Sequence, residues 1–295
     1  MLNWLKQKIN PSIGSGLDQN ATLRVIGDRR SGKTTYMASL AYWPNASPDS
    51  VVKTVSPIGE GGDELIAKAQ NILEQGLELE GTDLENTSED LKDYAISITL
   101  KQKFSKENIS LNINCKDYPG EFFTDLIHKQ NDLQLLNYLE DCVQGTGILF
   151  LLDGTTHRKD AEYAQGMEKF LMALDRVDLE GTKRRLALVL GKCEQPELWV
   201  NRHQPKELAQ MRFPKVKRVL DNWTSMDGGD VDYFSTSAFG MLGNQYPEPN
   251  SKKLKRSRDG TCSVLKDPRR WRPFGLVAPV YWLCCGRRHK QLEEG

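Results

Sequence analysis

The chain has 295 residues, 38% of them hydrophobic and 27% charged, with 40 Lys and Arg offset by 40 Asp and Glu. That length suits one large domain or two small ones, and the composition is that of a soluble globular chain able to bury a sizeable core. A formal net charge of zero excludes a global attraction to nucleic acid or membrane, so any such partner must meet a local patch.

Met1 to Lys6 lack the apolar run of a signal peptide, and Leu2, Trp4, Leu5 and Ile9 suit one or two turns of amphipathic helix. Residues 1–20 read as an N-terminal extension. Beyond them apolar runs alternate with helical patterns, the signature of a parallel α/β sheet. Strands are expected at 22–26, 94–104, 109–115, 147–152, 186–190 and 231–235. The second and third form an antiparallel hairpin at the sheet edge. The run at 147–152 is nearly all apolar, as a strand buried on both faces should be. Helices are expected at 35–42, 63–75, 132–143, 161–177, 205–223 with an interruption at Pro214, and 277–285. The stretch holding Pro57, Gly59, Gly61 and Gly62 reads as irregular, the residues up to Asp93 as an acidic loop, and the segment after Asp117 as a loop. Residues 244–272 read as a mobile Pro- and Lys-rich loop.

The expected architecture is a doubly wound, mostly parallel sheet with an antiparallel edge strand, flanked by helices, with a ligand at the carboxyl ends of the strands. From Ser251 onward twelve Lys and Arg face four Asp and Glu, a basic segment that suits an anionic surface or plain solvation. The longest late apolar run, 274–285, is too short to span a bilayer and contains Pro279, so no integral span is expected. The six cysteines show no C-x-x-C or Cys/His metal spacing, which fits a reducing, cytoplasmic setting. His128, His157, His203 and His289 are scattered without ligand spacing.

Residues 27–34 read G-x-x-x-x-G-K-T, between an apolar run and a helical segment. Chemistry explains the spacing. Glycines let a loop curl with its N–H groups turned inward on phosphate, and the helix N-terminus adds partial positive charge. The nucleotide-binding set is therefore Gly27, Asp28, Arg29, Arg30, Ser31, Gly32, Lys33, Thr34 and Thr35. Lys33 reaches the β- and γ-phosphates, and the Thr34 hydroxyl suits Mg²⁺. At the end of the third strand, Asp117 can hold Mg²⁺ through a water. Gly120 lets a backbone N–H approach the γ-phosphate, and Glu121 can orient an attacking water, with a solvated role equally open. Strands five and six run into Gly191-Lys192-Cys193-Glu194 and Ser235-Thr236-Ser237-Ala238. A carboxylate at Glu194 can accept two guanine N–H groups, the Lys192 stem can cover the base, and the backbone near Ala238 can donate to O6.

With these motifs in this order, residues 22–240 resemble a Ras-like GTPase of the translation-factor-related P-loop class. G-D-R-R-S-G-K-T resembles the phosphate loop, D-Y-P-G-E the second switch, G-K-C-E a degraded N-K-x-D, and S-T-S-A the final base loop. The D-x-P-G-E form, with Arg272, Pro273, Pro279, Trp282 and Leu283, also resembles bacterial Double-GTPase proteins of regulatory or defence systems. The resemblance implies a three-layer P-loop sandwich with a GTPase domain at 21–243, an extended first switch at 44–93, and a basic loop and C-terminal helix at 244–295 packing on it. It implies GTP and Mg²⁺ as cofactors, slow hydrolysis, and signalling to a protein effector or regulator through two switches. A first-switch Thr normally contacts Mg²⁺ and the γ-phosphate, and Thr82 is taken for that place ahead of Thr87. Three departures stand out. Gly191 replaces the usual Asn and Glu194 the usual Asp, which keeps ATP open. Lys33 and Asp117 are 84 positions apart, more than a minimal domain needs. Arg29 and Arg30 sit inside the phosphate loop, as solvent-facing residues or as cis contacts to phosphate. A P-loop ATPase and a non-hydrolysing, nucleotide-bound scaffold remain alternatives.

Overall fold

The computed structural model describes residues 18–42, 50–71, 73, 91, 93–101, 108–128, 133–177, 184–243, 248–257 and 260–293. In chain order these form β1 (Asp18–Ile26), α1 (Lys33–Tyr42), β2 (Val52–Ile58), α2 (Gly59–Gln70), β3 (Asp93–Leu100), β4 (Ile109–Asp117), α3 (Gly120–His128) and α4 (Leu133–Gln144). There follow β5 (Gly147–Asp153), α5 (Asp160–Val177), β6 (Arg184–Gly191), α6 (Pro196–Trp199), α7 (Pro205–Arg212), α8 (Pro214–Ser225) and β7 (Gly229–Ser235). The chain then adds β8 (Ser251–Ser257), β9 (Gly260–Leu265), α9 (Val277–Cys285) and α10 (Lys290–Glu293).

The centre of the sheet is set by β5, buried at every position, and by β6 beside it. Their side chains alternate between two cores. Leu149, Leu151, Ala187 and Val189 enter one; Ile148, Phe150, Leu152, Leu186, Leu188 and Leu190 enter the other. Each large apolar side chain buried this way contributes about 1.5–3 kcal/mol. The seven strands run in the order β2-β3-β4-β1-β5-β6-β7. Pairing is parallel from β4 to β7 and antiparallel for β2–β3 and β3–β4. The first core is closed by α1, α2 and α9, the second by α3, α4, α5, α7 and α8. This is the mostly parallel three-layer α/β sandwich expected from the sequence.

Four local features differ from the expectation. The β3–β4 hairpin is not the outer edge, because β2 pairs beyond it. β2 is largely exposed and contains Pro57, whose missing N–H an edge strand tolerates. The glycines after it are not irregular, since α2 begins at Gly59 and lies hard against β3. A Cβ at Gly61 would meet the Asp93 carbonyl oxygen at 2.2 Å, and one at Gly62 the Ala95 carbonyl oxygen at 2.7 Å. The segment after Asp117 is not a loop, because Phe122, Phe123, Leu126 and Ile127 of α3 are buried against the second core. Finally, the described part of 244–272 contains the antiparallel ribbon β8–β9 rather than only loop.

The interruption at Pro214 is as expected. α7 ends before Phe213, Pro214 opens α8, and the Asp160 carboxylate accepts from the N–H groups of Lys215 and Val216 at 3.1 Å, capping the new helix. α9 is apolar all round and sits where the sequence placed it, ended by Gly286 at φ 67°. No helix among the described residues is long and apolar enough to cross a membrane.

Candidate nucleotide-binding site

Loop 27–32 joins β1 to α1 at the carboxyl end of the parallel strands. Its curl needs two left-handed residues, Arg30 at φ 66° and Gly32 at φ 96°. Gly27 has to be glycine, since a Cβ there would lie 2.3 Å from the Leu151 carbonyl oxygen. The loop closes on Lys33. Its buried Nζ donates to the carbonyls of Gly27 (2.9 Å) and Asp28 (3.3 Å). Burial holds this ammonium below the ordinary lysine range, opposed by the carboxylates of Asp117, Asp28 and Glu121. Thr34 and Thr35 fall in the first turn of α1. Thr34 Oγ1 donates to Asp117 Oδ2 at 3.0 Å, bringing together a hydroxyl and a carboxylate that lie 83 positions apart. Asp117 is 1% exposed.

Two hard oxygen donors at this spacing fit a small divalent cation such as Mg²⁺, which takes one or two protein oxygens and completes its shell with phosphate and water. Among the described residues no group of three or more His, Cys, Asp or Glu could hold a metal, so the pair supplies no closed cage. The buried Ser31 hydroxyl has no hydrogen-bond partner, and it also lines this loop.

Asp28 and the loop arginines play different parts. The Asp28 side chain serves structure. It accepts from Lys159 Nζ (2.6 Å) and the Tyr163 hydroxyl (2.9 Å) on the α5 side, and from the Arg29 N–H at 2.7 Å. Neither Lys159 nor Tyr163 belongs to a nucleotide-binding motif in the sequence. Arg29 and Arg30 are exposed at the mouth. Arg29 pairs with Glu121 at 3.5 Å, with side-chain exposures of 66% and 37%. Gly120 packs directly on the loop. A Cβ there would sit 2.5 Å from both the N and the Cα of Arg29, so the start of α3 and the phosphate loop touch backbone to backbone.

The two segments assigned to the base from the sequence also converge. Glu194, 3% exposed, accepts from Ser237 Oγ at 2.6 Å and from Gln195 Nε2 at 3.4 Å. Burial raises its carboxyl above the ordinary range, and the Ser237 hydroxyl opposes the shift. Lys192 adopts φ 60° and donates to the Arg30 carbonyl at 3.2 Å and to Asp153 Oδ2 at 2.5 Å. Asp153, the last residue of β5, had been missed. Its other oxygen accepts the Thr155 N–H and hydroxyl at 2.9 and 2.7 Å, which fixes the carboxylate that holds Lys192. The signal was an acid ending a wholly apolar strand, followed by Gly-Thr-Thr. Trp271 donates to the Ala238 carbonyl at 2.7 Å and packs on Tyr42, so it pins the base loop from below. Thr82 and Thr87 lie outside the described residues.

No family model matches the chain, and neither does any curated protein. Among solved structures it is similar to the Saccharomyces cerevisiae Ski7 GTPase-like domain bound to GTP, with 16% identity over 75% of this chain and 43% of that one, TM-score 0.38. It is also similar to translation elongation factor SelB from Methanococcus maripaludis with the GTP analogue GppNHp (15% identity, 75% and 30% covered, TM-score 0.32). A third is the ADP-ribosylation-factor-like, small COPII coat GTPase Sar1 from Encephalitozoon cuniculi with GDP (14% identity, 75% and 70% covered, TM-score 0.34). The chain spans less than half the length of the Ski7 and SelB chains.

Proposed function

We propose that the chain is a Mg²⁺-dependent GTP-binding switch that hydrolyses GTP slowly and signals to a protein partner through two switch loops. The observation that carries this reading is the meeting of Thr34 with Asp117 at 3.0 Å, on a loop whose Lys33 ammonium is buried against its own carbonyls. A triphosphate entering the loop would take Lys33 from the Gly27 and Asp28 carbonyls and meet the N–H groups at the start of α1. Thr34 and Asp117 would hold Mg²⁺, which supplies neutralisation of phosphate charge. Glu121 is placed to orient a water once its partner Arg29 turns to phosphate. Lys192 braces the loop through the Arg30 carbonyl, and Glu194, oriented by Ser237, faces the base. Thr82 stays the proposed first-switch residue. The specific kinship with bacterial Double-GTPase proteins, and contact of the basic C-terminal segment with an anionic surface, belong to the same proposal.

A second reading, a P-loop ATPase, draws on Gly191 and Glu194 standing where the resembled family has Asn and Asp, which weakens the reading of guanine. Binding and turnover of GTP and ATP side by side, repeated on Lys33→Ala and Glu194→Ala, decide between them. Preferential GTP binding with slow turnover, lost as preference in Glu194→Ala, supports the switch. Equal or better ATP binding supports the ATPase. Tight binding without turnover leaves a nucleotide-bound scaffold.

A further inference from the structure

Away from the phosphate loop, a cavity of about 430 Å³ opens where β7 ends, between the segment before α7 and the start of α9. That volume suits a small molecule. Its wall gathers Arg202 and His203 from one part of the chain and Arg288, Lys290 and the carboxylate of Glu293 from another, with Ser235 and Ala278 between them. Arg288 is satisfied, since it pairs with Asp232 at 3.0 Å and with Glu293 at 2.8 Å. Among the described residues Arg202 has no ion pair with an acid. Its guanidinium lies over the Trp199 ring at 3.5 Å and donates to the Trp199 carbonyl at 2.9 Å. Desolvation pulls its pKa below the ordinary arginine range, and no carboxylate opposes the shift.

A partly desolvated guanidinium gains from an anion that supplies a counter-charge. The indole fixes the plane of the guanidinium fork, so it is pre-organised for a bidentate oxyanion. A second feature points the same way. Ala278 lies in the first turn of α9, whose N-cap position is Leu276 with no side-chain cap, so the N–H groups of that nine-residue helix have no capping side chain.

We infer that this cavity is a second ligand site that takes a small phosphate-bearing anion, held by Arg202, Lys290 and the N-terminus of α9. The inference does not rest on the GTPase reading. The site is separate from the phosphate loop yet adjoins the base loop. A Cβ at Gly275, on the cavity wall, would meet the Ser235 carbonyl oxygen at 2.2 Å, and Phe274 exchanges backbone bonds with Ser237 at 3.0 and 3.1 Å. The cavity wall is thus continuous with the strand end that presents Ser237 to Glu194.

The test is calorimetric titration of Mg²⁺-free inorganic pyrophosphate into the full chain at fixed ionic strength, with Lys33→Met, Lys290→Gln and Arg202→Gln as variants. Saturable binding is expected to survive in Lys33→Met and to weaken at least tenfold when Lys290→Gln or Arg202→Gln is added to it. Lys290 is exposed, so Lys290→Gln keeps the test valid if Arg202→Gln fails to fold. In the native chain, Lys290→Gln removes one binding event whether or not the phosphate loop also binds, which separates this inference from the switch. Absence of saturable binding in Lys33→Met overturns it. So does affinity unchanged by both cavity substitutions, and equal binding of citrate overturns the phosphate assignment.

Discussion

Gly120 is the sharpest lever on the site, because a methyl group there has nowhere to go. Its Cβ would stand 2.5 Å from the Arg29 N and Cα, which are backbone atoms and cannot rotate away. Its backbone is helical rather than left-handed, so Gly120→Ala introduces no torsional strain and isolates the steric effect. Overpacking of this kind costs about 1–3 kcal/mol. Replacing glycine by alanine in a helix returns up to about 1 kcal/mol, less at a first helical position. The net is a loss of about 1–2 kcal/mol, which for a domain of this size lowers Tm by about 2–6 °C. Gly191→Ala is the internal control. Its Cβ would find its nearest atoms at 3.4 Å or beyond, an ordinary contact, so stability should move by no more than about 0.5 kcal/mol. Thermal and urea unfolding followed by circular dichroism measure both. An alanine at 120 that is as stable as wild type would refute the backbone-to-backbone contact between α3 and the phosphate loop.

Lys33→Met should unfold no more easily than wild type, because removing a desolvated ammonium relieves a cost that the fold carries. Triphosphate affinity should fall about 100-fold or more with the loss of charge-assisted bonds. Paired denaturation and binding titrations check this. Arg29→Ala breaks an exposed pair and should leave stability within about 0.5 kcal/mol, so any change in single-turnover rate reports a role at the γ-phosphate. Arg30→Gly relaxes a left-handed residue and should stabilise by up to about 1 kcal/mol in urea unfolding. Glu194 has a folded pKa above its unfolded value, so the folded state holds the proton more tightly and stability falls as pH rises through that raised value. The stability of Glu194→Gln relative to wild type should therefore grow as pH rises above the ordinary carboxyl value of 4.5, measured by denaturation at each pH.

What could be read in the sequence was what a local pattern dictates. The curled loop at 27–32 is legible because its tight turn demands fixed glycine positions. β5 and β6 are legible because a strand buried on both faces cannot carry charge. β2 was not, since Val52–Ile58 is an edge strand whose outward residues are Lys53, Thr54 and Ser56 and whose pattern is mostly exposed. α3 was hidden by the motif that precedes it. Pro119 and Gly120 looked like the start of a loop, although Phe122, Phe123, Leu126 and Ile127 already had helical spacing. The β8–β9 ribbon was obscured by lysines that suited solvent as well as a strand. Within the site, Glu194 and Ser237 could be paired from strand order. The Asp153 support of Lys192 and the tether of Asp28 to Lys159 and Tyr163 join distant positions, and no local pattern specifies them.

α9 covers Leu149, Leu151, Ala187 and Val189 on one face of the sheet, and Leu283 presses on Gly147, where a Cβ would meet its Cδ2 at 2.8 Å. All seven strands of that sheet have been translated by Ser235. Roughly 50 more residues must follow before α9 is complete, which at about 5–20 residues per second takes ~3–10 s. During that interval the nascent sheet holds an apolar face without its lid. The order of the genetic message thus delays closure of the sheet until the basic ribbon has been made, and a ribosome stalled between 236 and 285 displays a sticky, half-covered sheet.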